Sequence, residues 1–145
     1  MNKSGYLVIV ISNQSGVARG YYQERDVGLF NDEMRRQLSE ENAYIDAIYY
    51  CPHHPEGIVS EYRQNCSCRK PNPAMLIKAA EQHQIDLSTS FMIGDKWSDI
   101  FTGNAVHCKS ILVLTGHGEE ESVYQKISET IIAYNLLDAV KRFII

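Results

Sequence analysis

Short apolar runs closed by polar residues punctuate the chain. Tyr6 to Ser12, YLVIVIS, is a continuous β-branched run, the pattern of a strand buried on both faces of a parallel sheet. Ile45 to Tyr50, Phe91-Met92-Ile93 and Ser110 to Leu114 predict three more strands, and Ile131 to Ala133 an edge strand. Between them the apolar spacing changes to threes and fours. From Glu24 to Glu41 it places Val27, Phe30, Met34 and Leu38 on one helical face, with Glu33, Arg35, Arg36 and Glu40 outside. Ala74 to about Gln82 predicts a helix with Met75, Leu76, Ala79 and Ala80 toward the sheet, and Leu136 to Phe143 one with Leu137, Val140 and Ile144 on one face. This alternation of strand and helix, with no repeat or linker, predicts a single α/β domain over residues 1–145, built on a mostly parallel sheet.

One stretch departs from that rhythm. Tyr50 to Pro73 reads YCPHHPEGIVSEYRQNCSCRKPNP, in which Cys51 and His53 form one pair of soft ligands and Cys66 and Cys68 a second. Four such groups can close a tetrahedron around structural Zn²⁺. The loop between the pairs holds few bulky aliphatics, so metal is the means by which it acquires a fixed shape. The plain alternative is buried thiols and a surface histidine. His54 is the spare imidazole, and spacing alone leaves an exchange with His53 open. After Cys68 come Arg69 and Lys70, an anion grip or an ordinary solvated pair. Asn72 then suits an N-cap and Pro73 the first helical position.

Two further loops lie where parallel sheets place ligand groups, beyond the carboxyl ends of strands. Ser12 and Asn13 head the polar stretch up to Gly20, and either bind a ligand or shape a turn. Gly94-Asp95-Lys96-Trp97-Ser98-Asp99 sets two carboxylates around a strand-to-helix turn; these suit Mg²⁺, or serve as a cap and a first-turn acid.

Bulk properties narrow the classes. A net charge of -4 without a basic run gives nucleic-acid binding no electrostatic support. No apolar run approaches the ~20 residues of a membrane span, and no signal pattern opens the chain, which predicts a cytoplasmic protein. Clustered cysteines in such a chain read as metal ligands, leaving Cys108 as a reduced, buried thiol.

Taken together, ISNQSGVARG, CPHHPEG through CSCRKPNP, and MIGDKWSDI resemble motifs of the haloacid-dehalogenase-type phosphatases, most closely the branch acting on heptose bisphosphates in lipopolysaccharide synthesis. Histidinol-phosphate phosphatases look like near relatives. The resemblance implies a Rossmann-like parallel sheet with helices on both faces and hydrolysis of a phosphorylated sugar. It makes Ser12 the hydroxyl that holds the transferring phosphoryl, Lys70 the lysine that balances charge on nucleophile and phosphate, Arg69 a substrate-phosphate contact, and Asn13 and Lys96 substrate contacts. It also makes Asp95 an Mg²⁺ ligand with Asp99 supporting it. Gly103 and Cys108 read as drift from the pattern. Such phosphatases carry a D-x-D pair whose first Asp attacks phosphorus and whose second moves the proton, and no D-x-D occurs in these 145 residues. The expectation is therefore an N-terminally truncated homologue with little activity, weak or lost Mg²⁺ binding and a possible homodimer through exposed sheet edges. The rivals are an active sugar or histidinol phosphatase whose N-terminal segment lies outside this sequence, and a zinc-stabilised binding or assembly protein.

Overall fold

The computed structural model describes residues 1–124 and 130–145, and its contacts gather into two compact units, Met1–Arg69 and Lys70–Ile145. In the first, β1 (Ile9–Asn13) runs through the helix α1 (Glu24–Glu40) to β2 (Ala47–Cys51). The two strands pair in parallel, with Ser12 opposite Tyr50 and Asn13 opposite Cys51. The strand expected from Tyr6 begins at Ile9, because the Val8 N–H is taken by the Asp46 carboxylate at 2.7 Å.

Helix α1 opens with Gln23 as cap, its own N–H donating to the Asp26 carboxylate. Val27 is buried on its inner face, but Phe30, expected beside it, is 64% exposed. At 100° per residue Phe30 stands about 60° to one side of the Val27–Met34–Leu38 line, so it falls off the edge of the buried stripe.

The second unit holds α2 (Ala74–His83), β3 (Phe91–Gly94), α3 (Trp97–Asn104), β4 (Lys109–Val113), α4 (Gly118–Tyr124), β5 (Ile131–Ala133) and α5 (Leu136–Phe143). Its sheet has the order β3-β4-β5, all parallel. Successive side chains of a strand point to opposite faces, and β4 uses both. Ile111 and Val113 pack with Ala133 and Ala139, flanked by Phe91, Ile93, Ile131 and Phe143, while Leu112 packs with Trp97 and Ile100. Helices α5 and α3 thus cover the two faces. In α5 the buried position is Ala139; Leu137, expected on the inner face, is 61% exposed, because at 100° per residue it stands about 160° round the helix from Ala139.

Helix α2 starts at Ala74 as expected, but its cap lies one residue later than Asn72. Pro73 is the cap and Ala74 the first helical residue, yet the Asn72 side chain still accepts from the Ala74 N–H at 3.2 Å. Met75, Leu76 and Ala79 are buried as anticipated.

Gly103 is not drift. A Cβ there would stand 2.5 Å from Ser110 Oγ and 2.6 Å from Met92 Cβ, so the absent side chain is what lets α3 lie against β3 and β4. Gly103→Ala should destabilise the protein by about 1–3 kcal/mol and lower the melting temperature by about 3–10 °C. Thermal unfolding followed by circular dichroism checks this, and an unchanged midpoint would mean that the helix can shift at no cost.

Candidate phosphate and metal sites

The four ligands chosen by spacing converge. Cys51 Sγ lies 3.4 Å from Cys66 Sγ and 3.8 Å from His53 Nδ1, Cys68 Sγ lies 3.2 Å from Cys66 Sγ, and His53 Nδ1 lies 3.4 Å from Cys68 Sγ. All four donor atoms fall within 4.8 Å of one another. A tetrahedron with Zn–S bonds of ~2.3 Å has edges of ~3.8 Å, so the donors fit a single zinc ion with only slight expansion. The cysteines are unpaired by disulfides. Burial pushes the Cys51 and Cys68 thiols up. It pushes Cys66 up as well, but contacts from Cys68 and Cys51, the Arg69 N–H and His53 outweigh it and hold that thiol at about 7.

The choice between the two histidines, open in the sequence, is closed by geometry. His54 turns away from the sulfurs: its Nδ1 accepts from the Glu56 N–H at 3.1 Å and its Nε2 meets an Arg19 terminal nitrogen at 2.9 Å.

The metal loop is tied to the loop after β1. The Gln14 N–H donates to the Cys51 carbonyl, the Ala18 N–H to the Pro52 carbonyl and the Val59 N–H to the Ala18 carbonyl. Val17 and Ala18, within a stretch that reads as polar, are buried beneath it. Ser12 and Asn13 end β1 at this edge. Ser12 Oγ accepts from Gln14 Nε2 at 2.9 Å, and Gln14 Oε1 accepts from the Tyr22 hydroxyl at 2.8 Å.

A feature missed in the sequence is the Glu24 carboxylate, which accepts from the Tyr50 hydroxyl at 3.0 Å and the Tyr62 hydroxyl at 2.7 Å. It joins the first turn of α1 to β2 and to the metal loop. The bond to Glu24, with burial, pushes Tyr62 up to about 12. Nothing in the spacing of these three residues marks them as partners; the only signal was a carboxylate at a helix start with tyrosines elsewhere. Glu24 and Tyr62 also line an open cavity of about 770 Å³ with Val17, Tyr21, Tyr22 and Val59.

In the second unit Lys70 Nζ lies 2.5 Å from Asp99 Oδ1, with side chains only 10% and 6% exposed. The other oxygen of Asp99 accepts from the Lys96 N–H at 3.1 Å, at the start of α3. Gly94 permits this: a Cβ there would fall 2.3 Å from the Asp99 carboxylate. Asp95 follows the end of β3, half-buried, and accepts from the His117 N–H at 2.9 Å. Its oxygen ligands are of the kind Mg²⁺ takes. Lys96 is exposed. Trp97 anchors the turn, its indole N–H donating to the Glu121 carbonyl at 2.8 Å and its backbone N–H to the Glu121 carboxylate. The predicted residues therefore assemble as two groups, Ser12, Asn13 and Arg69 with the metal cluster in the first unit, and Lys70, Asp95, Lys96 and Asp99 in the second.

A family model described as HAD-hydrolase-like matches residues 67–139. The chain belongs to the HAD-hydrolase-like family. It is 44% identical over 118 residues to D-glycero-alpha-D-manno-heptose-1,7-bisphosphate 7-phosphatase of Photorhabdus laumondii, covering 81% of this chain and 64% of that protein. To the beta-heptose counterpart of Haemophilus influenzae it is 39% identical over 136 residues, 91% of this chain and 73% of that protein. Among solved structures, D,D-heptose 1,7-bisphosphate phosphatase of B. bronchiseptica, complexed with magnesium and phosphate, superposes with a TM-score of 0.86 at 29% identity, over 97% of this chain and 75% of that one. The chain spans 61–64% of the length of the first curated relatives it matches. No helix among the described residues is long and apolar enough to cross a membrane.

The four-ligand cluster predicts one zinc ion per chain. Binding must displace protons from thiols that burial holds protonated, so affinity rises with pH and falls as the medium is acidified. Elemental analysis, and chelator competition at pH 6.5 and 8, check both statements. Cys51→Ala should lose the metal, whereas a disulfide within the cluster would contradict the assignment.

Proposed function

We propose that this chain carries the phosphate-holding and metal-ordered part of a heptose-1,7-bisphosphate 7-phosphatase. The observation that carries the reading is the buried Lys70–Asp99 pair beside Asp95 at the end of β3. An ammonium fixed by a carboxylate, itself fixed by a backbone N–H, is a cation that costs no reorganisation when phosphoryl charge arrives. The relatives' names supply the substrate class, a sugar bisphosphate; they differ in the anomer, alpha in one and beta in others.

In this reading Ser12 and Lys70 hold the phosphoryl group, Asn13, Arg69 and Lys96 contact substrate, Asp95 offers oxygen to Mg²⁺ and Asp99 keeps Lys70 in place. Zinc on Cys51, His53, Cys66 and Cys68 is structural. It shapes the loop and takes no part in the chemistry, since four protein ligands leave no open position. Mg²⁺, when bound, would neutralise charge on the phosphoryl oxygens. The cytoplasm, where thiols stay reduced, is the compartment that suits the cluster.

Phosphoryl transfer to a carboxylate splits hydrolysis into two easier steps, and Lys70 and Mg²⁺ only stabilise charge along that path. These 145 residues hold no D-x-D pair to attack and to move the proton. The chain by itself should therefore release no phosphate from heptose 1,7-bisphosphate above background, and should bind Mg²⁺ weakly through Asp95. A malachite-green assay on zinc-loaded protein checks this; turnover that survives purification and is lost in Asp95→Asn would show that another group attacks phosphorus.

Self-association belongs to the same reading. Strand β5 pairs only with β4 among the described residues, and Ile132, Tyr134, Leu136 and Leu137 beside it are exposed. An apolar strand edge of this kind recruits a partner strand. Light scattering at low micromolar concentration should give a dimer, and a clean monomer would dismiss it.

A further inference from the structure

The Ser12 hydroxyl stands at the end of a short chain of side chains. The Tyr22 hydroxyl donates to Gln14 Oε1 at 2.8 Å, and Gln14 Nε2 donates to Ser12 Oγ at 2.9 Å. An amide offers its acceptor and its donor from opposite sides of one rigid head, so the two bonds share a single sense. While Gln14 gives its N–H to Ser12, the Ser12 hydrogen must point elsewhere. Were the amide turned over, Ser12 would spend that hydrogen on Gln14 Oε1 and offer a ligand only lone pairs. A phenol is more acidic than an aliphatic hydroxyl and donates more readily. Tyr22 therefore belongs at the carbonyl end of the amide and Ser12 at the N–H end. Each bond polarises the next, which strengthens the Ser12 O–H as a donor.

The backbone is arranged to hold this chain in place. The Gln14 N–H donates to the Cys51 carbonyl and the Gln14 carbonyl accepts from the Val17 N–H, so the side chain leaves a main chain pinned on both sides. Gly20, at a φ of 71°, turns the loop back, and the Tyr21 N–H returns to the Gly16 carbonyl at 2.9 Å. Tyr22 then lies against Gly16, which is buried. A Cβ on Gly16 would stand 2.6 Å from the Tyr22 hydroxyl oxygen and overlap its ring. Among the described residues no carbonyl or carboxylate takes the Ser12 hydrogen.

We propose that Gln14 and Tyr22 are positioning residues that aim the Ser12 hydroxyl, as a donor, at an anionic oxygen. That the oxygen belongs to a phosphoryl group rests on the function proposed above; the relay itself rests on the two hydrogen bonds and on the fit of Tyr22 over Gly16. Both residues act through Ser12. The sequence pointed to Ser12 and Asn13 and gave no sign of either.

Two measurements on the zinc-loaded chain separate the relay from the reading of function. The first needs no ligand. In ¹H–¹⁵N NMR one proton of the Gln14 side-chain amide should stand away from the position of a solvated glutamine, and Ser12→Ala and Tyr22→Phe should each move it back. A Gln14 amide that looks solvated, or one indifferent to either substitution, overturns the relay.

The second titrates inorganic phosphate, read from the Ser12 and Asn13 backbone amide resonances. Tyr22→Phe should weaken binding about three- to tenfold, and should have no further effect in a Ser12→Ala background, because it acts through that hydroxyl. An affinity unchanged by Tyr22→Phe, or an equal loss in both backgrounds, overturns the positioning role and leaves Tyr22 as packing for the loop. Resonances that phosphate leaves unmoved, beside a Gln14 amide that behaves as expected, support the relay and refute the phosphate reading of the site.

Discussion

Between Cys51 and Cys68 the chain has almost nothing to bury, and Ile58, its largest aliphatic, is 77% exposed. A segment of that composition cannot offset the entropy of being ordered, about 1–2 kcal/mol for each backbone residue fixed. Three thiolates and an imidazole converge there, and an ion coordinated by them would be strong enough to do so. The rest of the first unit then follows from it. The loop after β1 hangs on carbonyls at Cys51 and Pro52, Val59 returns to Ala18, and Tyr62 reaches Glu24. The Cys51-His53-Cys66-Cys68 cluster, and not a conventional core, is what the neighbours of Ser12 and Asn13 are tied to.

The second unit solves its problem by ordinary packing. Strand β4 is buried on both faces, and the close approach of α3 over Gly103 lets the turn at Gly94 bring Asp99 under Lys70. A buried ion pair of this kind adds little net stability, but removing one partner leaves an uncompensated charge at a cost of about 3–5 kcal/mol. Its value is therefore positional. It holds an ammonium at the carboxyl end of a parallel sheet, the edge at which such folds bind their ligands.

Strand positions were legible because continuous apolar runs have few other uses, and the convergence of Cys51, His53, Cys66 and Cys68 because paired soft residues rarely recur by chance at such spacing. What stayed hidden was set by contacts between distant positions. Phe30 and Leu137 have the right period but stand at the edge of, or outside, the stripe that their neighbours cover. Gly103 looked like drift because its meaning lies in Ser110 and Met92. Glu24, Tyr50 and Tyr62 meet only after α1 and the metal loop have folded. The choice of His53 over His54 depended on where Arg19 and the Glu56 amide fall.

Cys51 closes β2, offers its carbonyl to the Gln14 amide and its sulfur to the metal cluster. One residue thereby sets two clocks to the same rate. Amide hydrogen exchange at Gln14 and Ala18 requires their bonds to the Cys51 and Pro52 carbonyls to open, and an ion held by the Cys51 sulfur would tie that opening to the release of a sulfur. With zinc on the four donors, the residence time of the ion would set the lifetime of the closed loop after β1.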